Sequence, residues 1–239
     1  MRYGICKLSV VPMRKDASHT SELVSELLFN DIYKIVDENE EWLKIQCMYD
    51  SYEGWIRKLQ HNEISDEEYN EYISKEKYIV NVPVTYHEDM ILSFGSKVFE
   101  NIEGTVPLSK NYNSDVLIES AFKMTNIPYR WGGKSVMGID CSAFVQLCAK
   151  VAGYKLPRDA SQQYEFGNIV NNLSEAQSGD IAFFESKDHR IIHVGILLSP
   201  NMIIHASGKV RIDRIDDTGI FNNELNQYTH YLCKVKRLK

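Results

Sequence analysis

A glycine-rich loop that leads into a helix starting at a cysteine is the feature that most constrains this chain. The loop covers residues 131–138 with the sequence WGGKSVMG, and the apolar residues after Cys141 recur at helical spacing. This spacing predicts a helix that begins at Cys141. Free amide N–H groups and the helix dipole stabilise a thiolate at such a position, so we expect a lowered pKa for the Cys141 thiol. Two histidines downstream, His193 and His205, are candidates for its base and for the group that orients that base.

Length and charge limit the classes of protein to which the chain can belong. Its 239 residues suffice for one large domain, or for a mid-sized domain with a small companion. The formal net charge of −6 argues against nucleic-acid binding, because such surfaces are usually basic. No apolar run approaches membrane-spanning length, and the first residues lack the apolar core of a secretory signal. We therefore expect a cytoplasmic protein that binds neither nucleic acid nor membrane.

The five cysteines do not form a pairing pattern. Their number is odd and no Cys-x-x-Cys pair occurs, so the sequence suggests neither a disulfide framework nor a zinc knuckle. Apart from Cys141, they are interpreted as small buried apolar side chains: Cys6, Cys47, Cys148 and Cys233.

The character of the sequence changes along the chain and divides it into three segments. Residues 1–75 contain short, regularly spaced apolar segments between turns, which are typical of a small all-β barrel. Residues 76–112 are expected to be either a β-rich linker or a truncated second barrel-like segment. From residue 113 onward, predicted helices come first and an antiparallel meander follows, so residues 113–239 are expected to form an α+β domain.

Strand alternation brings the two histidines together in the predicted meander. If residues 199–201 form the turn, position 195 pairs with His205, and His193 lies one diagonal step away on the same face. His193 can then act as the base and His205 can orient it, while Gly195 is expected to leave space for substrate. A zinc site made of Cys141, His193 and His205 is the alternative. The remaining histidines are interpreted as solvated: His19, His61, His87, His189 and His230.

Several motifs carry a resemblance to a known family. They are PYRWGG at 128–133, GIDCSAFV at 138–145, LPRD at 156–159, GDIAFF at 179–184, HVGI at 193–196 and HA at 205–206. In order and spacing they resemble the NlpC/P60 cysteine peptidases. The segment before them resembles a bacterial SH3-type (SH3b) domain, through MR at 13–14, LLFND at 27–31 and GWI at 54–56. The resemblance implies a papain-like α+β catalytic domain, with helices packed on an antiparallel sheet, preceded by a small all-β SH3b-like barrel.

The resemblance also implies roles for individual residues. Cys141 matches the family's nucleophile, His193 its base and His205 its third polar residue. The implied substrate-binding residues are Tyr129, Asp140, Ser142, Asp159 and Tyr52. Tyr129 lies beside the nucleophile in the family and helps to bind the oxyanion, and Asp140 and Ser142 match positions that contact the γ-D-glutamyl group. Asp159 matches an acidic residue that binds a free α-amine. Ala160 departs from the serine frequent after that residue, and Tyr52, with Tyr49 as second candidate, would close the pocket.

The implied activity is that of a γ-D-glutamyl-L-diamino acid endopeptidase of the murein-recycling type. Such an enzyme cuts free peptides that begin with an unblocked L-Ala, and we expect a monomer that needs no metal or organic cofactor. Three other functions stay open at this point. They are a secreted endopeptidase acting on intact murein, a catalytically inactive wall-binding module, and a related amidase or acyltransferase.

Overall fold

The computed structural model describes residues 2–239, which divide into two compact units. The amino-terminal unit contains the described residues up to Leu108 together with Trp131–Gly138. The carboxy-terminal unit contains Ser109–Arg130 and Ile139–Lys239. None of the helices within residues 2–239 is both long enough and apolar enough to cross a membrane.

Seven antiparallel strands build the first part of the amino-terminal unit. They are β1 (Tyr3–Ile5), β2 (Val10–Arg14), β3 (Leu23–Leu28), β4 (Ile32–Glu38), β5 (Trp42–Cys47), β6 (Glu53–Arg57) and β7 (Asn62–Ile64). Their order in the sheet is β3-β2-β6-β5-β4-β1-β7. Alternate residues point into one apolar core, since Val11 and Met13 of β2 and Leu43 and Ile45 of β5 are all buried there.

The rest of the amino-terminal unit surrounds a second, smaller core. Helix α1 (Asp66–Ser74) begins at a capping box formed by Ser65 and Glu68. The strands that follow are β8 (Tyr78–Val80), β9 (Val84–His87), β10 (Met90–Ser93), β11 (Lys97–Val98) and β12 (Thr105–Pro107). β9 and β10 form a hairpin, while β8 lies between β11 and β12. The residues of this core are Phe29, Val80, Leu92 and Val98.

Three helices belong to the carboxy-terminal unit: α2 (Ser114–Lys123), α3 (Cys141–Val151) and α4 (Ala160–Gln163). Every residue of α3 is buried, so this helix runs through the interior. The helix ends before Gly153, whose φ is +86°. A Cβ at that position would lie 2.4 Å from the carbonyl oxygen of Asn111, which makes glycine necessary there. The loop before α3 holds two short strands, β13 (Lys134–Ser135) and β14 (Gly138–Ile139).

A closed antiparallel sheet completes the carboxy-terminal unit. Its strands are β15 (Asn168–Val170), β16 (Ile181–Glu185), β17 (Ile191–Ser199), β18 (Met202–Ser207), β19 (Lys209–Ile215), β20 (Gly219–Asn222) and β21 (Gln227–Arg237). The order is β15-β21-β16-β17-β18-β19-β20, and β20 also pairs with β21. The predicted meander therefore closes on itself, which the sequence did not indicate. Because α3 packs against β17 and β18, the unit is α+β with a helix on an antiparallel sheet.

Candidate active site

Cys141 lies in the first turn of α3 and is buried next to the strand that carries His193. Asp140 caps the helix by accepting the N–H of Ala143 at 2.8 Å. The backbone N–H of Val194 acts to lower the pKa of the Cys141 thiol, as a hydrogen-bond donor near the sulfur does. The sulfur therefore lies beside the backbone of the residue that follows His193.

Burial reverses the expected shift of the Cys141 pKa. Loss of water contacts, with the nearby charge of Asp140, raises the pKa of this thiol to about 12. The N–H groups of Val194 and Ser142 and the charge of Arg158 act in the opposite direction, but they are outweighed. The expectation of a lowered pKa is wrong because the helix start is desolvated. The resting site holds a thiol, whose proton must leave as attack begins.

A buried ion pair holds the start of α3 in position. Arg158 is 1 % exposed and binds both carboxylate oxygens of Asp140, at 3.0 Å to Oδ1 and 2.6 Å to Oδ2. The same guanidinium donates to the hydroxyl of Ser142 at 2.9 Å. The structure therefore engages the side chains of both Asp140 and Ser142 with Arg158. Such a fork is a strong, geometrically specific contact.

The two histidines meet as the strand register predicted. Gly195 pairs with His205 across β17 and β18, and His193 Nε2 lies 2.8 Å from His205 Nδ1. Both imidazoles are buried, with exposures of 4 % and 1 %. The turn is shorter than the predicted residues 199–201, because the register shifts after Leu197 and Ser199 itself pairs with Met202.

Gly195 allows close packing beside the histidine pair and does not leave an open space for substrate. A Cβ built at Gly195 would lie 2.8 Å from the His205 Cβ and 2.8 Å from the Cδ1 of Ile203. The expected open space beside His193 is therefore a site of close strand packing. The absence of a side chain at 195 lets His205 approach its neighbour strand.

Tyr129 lies close enough to Cys141 and Asp140 for their charges to act on its hydroxyl. Burial, followed by these two charges, raises the pKa of Tyr129 well above its usual range. The phenol therefore keeps its proton at neutral pH and can donate a hydrogen bond. Its backbone N–H donates to the carbonyl of Gly208 at 2.9 Å, and its backbone forms a bridge with Ile139.

Asp159 lies at the start of α4, next to the buried Arg158. It is partly exposed, and its backbone N–H donates to the side chain of Gln162 at 3.4 Å. Gln163 in turn ties α4 to α3, since its amide donates to the carbonyl of Ser142 at 2.9 Å. The structure thus connects the element of Asp159 with the element of the cysteine. Tyr52 belongs to the amino-terminal unit, where its partly buried side chain packs against the core of that unit.

Comparison with known proteins identifies both parts of the chain. Residues 126–229 match the model of the NlpC/P60 family, and residues 13–60 match that of the bacterial dipeptidyl-peptidase Sh3 domain. The chain contains an NlpC/P60 domain. It is a cysteine peptidase whose first part is an SH3-like domain.

Relatives and solved structures extend over most of this NlpC/P60 peptidase. The gamma-D-glutamyl-L-lysine dipeptidyl-peptidase of Bacillus subtilis (strain 168) is 27% identical, over 99% of this chain and 84% of the relative. Dipeptidyl-peptidase 6 of Lysinibacillus sphaericus is 26% identical, over 82% of this chain and 86% of the relative. The crystal structure of an NlpC/P60 family protein from Bacillus cereus ATCC 10987 matches with a TM-score of 0.83 and 16% identity, covering 98% of this chain and 99% of that one. At 16% identity, the structural match supports the fold and nothing further.

Sequence reasoning missed Asp213 in the site of this peptidase. Its Oδ2 lies 3.0 Å from His205 Nε2, and the residue is 3 % exposed. Arg211 contacts the same carboxylate, at 2.8 Å from Nε to Oδ2 and 3.1 Å from Nη2 to Oδ1. The available signal was Gly208, because a turn there pairs His205 with Arg211 and puts Asp213 on the same face.

His230 was also misread, since it was interpreted as solvated. Its ring stacks on that of His193 at a centroid distance of 4.0 Å and an interplanar angle of 26°. Burial lowers the pKa of His230 to about 4, and burial together with His205 and His230 lowers the pKa of His193 well below its ordinary value. The prediction for His230 failed because β21 contains a bulge opposite Ile220 and Phe221, and this bulge changes which side chains face inward.

The three imidazoles raise the question of a metal ion. Nitrogen atoms of His193, His205 and His230 lie within 4.8 Å of one another. However, the 2.8 Å contact between His193 and His205 is a hydrogen bond that uses the lone pair a cation would need. The geometry fits a hydrogen-bonded base better than the zinc site considered as an alternative.

Two further side chains differ from their predicted environment. His61 is partly buried, and its Nδ1 lies 2.9 Å from the hydroxyl of Tyr33. Cys233 is partly exposed and lies 3.9 Å from the Tyr164 hydroxyl, because it occupies the outward side of β21. All five cysteines are free, and Cys6, Cys47 and Cys148 are buried as predicted.

Proposed function

We propose that this peptidase hydrolyses the bond between γ-D-glutamate and the diamino acid in free murein peptides that begin with L-Ala. The observation that carries the proposal is the match over 99% of the chain to a relative named gamma-D-glutamyl-L-lysine dipeptidyl-peptidase. The buried Cys141, His193 and His205 supply chemistry that suits amide cleavage by acyl transfer. The products are the dipeptide L-Ala-D-Glu and the released diamino acid.

The reaction proceeds in two halves. The Cys141 sulfur passes its proton to His193 and bonds to the carbonyl carbon, and the tetrahedral intermediate collapses as the C–N bond breaks. His193 gives the same proton to the leaving amine. Water then attacks the thioester, His193 accepts a proton from that water, and the proton returns to the sulfur as the dipeptide leaves. A neutral His193 suits this sequence, because its lowered pKa keeps it unprotonated near pH 7.

Oxyanion stabilisation comes from groups near the helix start. The backbone N–H of Cys141 at the first turn of α3 and the phenol of Tyr129 are the candidate donors. Tyr129 remains protonated because its pKa is raised. Preorganised donors of this kind usually supply a large share of the rate.

Selection for a free amino terminus is assigned to Asp159. A carboxylate at the end of the substrate cleft pairs with the ammonium group of L-Ala and disfavours peptides whose amine is blocked. Asp140 and Ser142 contact the γ-D-glutamyl group in this proposal, through the polar network that Arg158 organises. Such a preference suits recycling of free peptides in the cytoplasm rather than cleavage of intact murein.

The test compares a free and a capped substrate. The peptide L-Ala-γ-D-Glu-L-Lys and its N-acetyl form are incubated with the protein, and released L-Ala-D-Glu is quantified by mass spectrometry. We expect kcat/KM to be about 10- to 100-fold higher for the free peptide, as befits one charge-assisted hydrogen bond. The matched control is Asp159→Asn, in which the preference should shrink to a few-fold.

Two results would redirect the proposal. Equal cleavage of the capped peptide, or release of soluble fragments from crosslinked murein, would indicate the secreted type of endopeptidase. Release of a product other than L-Ala-D-Glu would indicate an amidase or acyltransferase built on the same cysteine and histidines.

A further inference from the structure

We propose that Asp213 is a positioning residue, which determines which ring nitrogen carries the proton in His205 and, through it, in His193. The proposal deepens the function proposed above and rests on it, because it concerns the base that accepts the Cys141 proton. None of the sequence motifs contains Asp213. It enters the argument only through its position on β19, one diagonal step from His205.

Asp213 and His205 are in direct contact in the interior of the carboxy-terminal unit. The two side chains are 2 % and 1 % exposed, and Oδ2 lies 3.0 Å from Nε2. Burial acts to raise the pKa of Asp213, but the hydrogen bonds from His205 and Arg211 lower it overall. Asp213 is therefore ionised at neutral pH. An ionised carboxylate can only accept, so the hydrogen of this bond must sit on Nε2 of His205.

The position of the proton in His205 determines the position of the proton in His193. With its proton on Nε2, a neutral His205 has a bare Nδ1, which accepts a hydrogen bond. Since Nδ1 of His205 lies 2.8 Å from Nε2 of His193, the latter nitrogen must donate. Nδ1 of His193 is then left with its lone pair, and this is the nitrogen available to take the proton of the Cys141 thiol.

Arg211 holds the carboxylate of Asp213 in place. Arg211 contacts both of its oxygens, and the far side of the guanidinium donates to Glu224 at 3.1 Å. The Arg211 side chain is 15% exposed, whereas that of Glu224 is 71% exposed. The charged and titratable groups around the His205–Asp213 contact are thus Arg211 on β19, Glu224 beyond it, and the imidazoles of His193 and His230. Asp213 places its negative charge directly against the Nε2 side of His205.

The test substitutes Asp213→Asn and reads the protonated nitrogens directly. Asparagine keeps the shape but loses the charge, and its amide can present N–H groups to His205. ¹⁵N chemical shifts of the imidazoles in the full chain report the tautomers without any substrate. We expect Nε2–H in both His205 and His193 of the parent protein and a loss of that uniform state in Asp213→Asn. We also expect kcat/KM to fall at least about 100-fold, as when a base is held in the wrong tautomer.

Two further variants separate positioning from folding. Glu224→Gln removes a carboxylate from the same network, and Glu224 does not contact His205. This variant should leave the tautomers unchanged and kcat/KM within about twofold of the parent. Asp213→Glu keeps the charge and should recover part of the activity lost in Asp213→Asn, together with the parent tautomers.

The NMR readout separates a failure of this proposal from a failure of the substrate assignment. A proton on Nδ1 of His205 in the parent protein would overturn the proposal, even if Asp213→Asn does not fold. Unchanged tautomers in a folded Asp213→Asn variant would also overturn it, whatever happens to the activity. If the tautomers shift as expected but murein peptides are not cleaved, the proposed substrate fails and the role of Asp213 stands.

Discussion

At the scale of single residues, the site depends on charges that are buried together. The Arg158–Asp140 pair is the clearest example, because both side chains are at least nine-tenths buried and share two hydrogen bonds. Desolvation makes such a pair a weak source of net stability, but removing one partner leaves a buried charge without compensation. The pair therefore holds the start of α3, and with it the backbone of Cys141.

The Arg158→Leu variant tests this reading. It should lower the free energy of unfolding by about 3–5 kcal/mol, because the Asp140 carboxylate stays buried without its partner. Urea denaturation of the parent and the variant gives this difference. The double variant Asp140→Asn with Arg158→Leu should lose less than the single one. An equal or larger loss in the double variant would mean that packing, rather than charge, is responsible.

The pKa of His193 predicts where activity falls on the acid side. Burial and the neighbouring His205 and His230 lower this pKa well below its ordinary value near 6.5. The base therefore stays neutral as pH falls through 6.5, and kcat/KM should decline only at clearly lower pH. A pH–rate profile on the free tripeptide measures this limb. A midpoint at or above 6.5 would show that His193 is not desolvated as described.

At the scale of elements, the β17–β18–β19 hairpins align the polar residues of the site. The face shared by these strands carries His193, His205 and Asp213, and each is set by an antiparallel register. Gly195 permits the close approach of β17 and β18, since a Cβ there would lie 2.8 Å from that of His205. A residue with a side chain at 195 must therefore separate the strands or displace the imidazole.

Gly195→Ala should consequently harm both stability and activity. We expect a loss of about 1–3 kcal/mol from overpacking, and a fall in kcat/KM because the His193–His205 hydrogen bond lengthens. Gly208→Ala is the matched control: its φ of +69° strains alanine, but nothing lies within 4 Å of the added Cβ. Thermal unfolding and kcat/KM are measured for both. Equal activity in the two variants at similar stability would contradict the role of Gly195.

The elements also explain which parts of the site the sequence could predict. The pairing of Gly195 with His205 follows from strand alternation and one short turn, so local rules suffice. His230 lies on β21, far along the chain, and its inward direction depends on a bulge and on closure of β20 against β21. Asp213 required the Gly208 turn to be recognised. The Cys141 pKa depended on desolvation, which a helix start alone does not reveal.

At the scale of the whole molecule, the closed sheet buries several imidazoles away from water. His193, His205 and His230 all have pKa values lowered by burial. In the unfolded chain these groups bind protons near pH 6.5, whereas the folded state resists protonation. The unfolded state therefore binds more protons below pH 6.5, and folding stability must fall as the pH is lowered.

The His230→Phe variant tests this acid sensitivity. Phenylalanine preserves a ring against His193 and cannot be protonated. With a folded pKa of about 4, His230 should account for about 2 kcal/mol of the stability lost between pH 7 and pH 5. Urea unfolding at the two pH values gives the difference for parent and variant. The same loss in both proteins would show that His230 is already protonated, or exposed, in the folded state.

Identifying the residue that becomes acylated tests directly whether Cys141 is the nucleophile. The protein is mixed with L-Ala-γ-D-Glu-L-Lys, quenched in acid within one turnover, digested and mapped by mass spectrometry. We expect an L-Ala-D-Glu acyl group on the peptide that contains Cys141, and no turnover in Cys141→Ala. An acyl group on another cysteine, or continued turnover in Cys141→Ala, would contradict it.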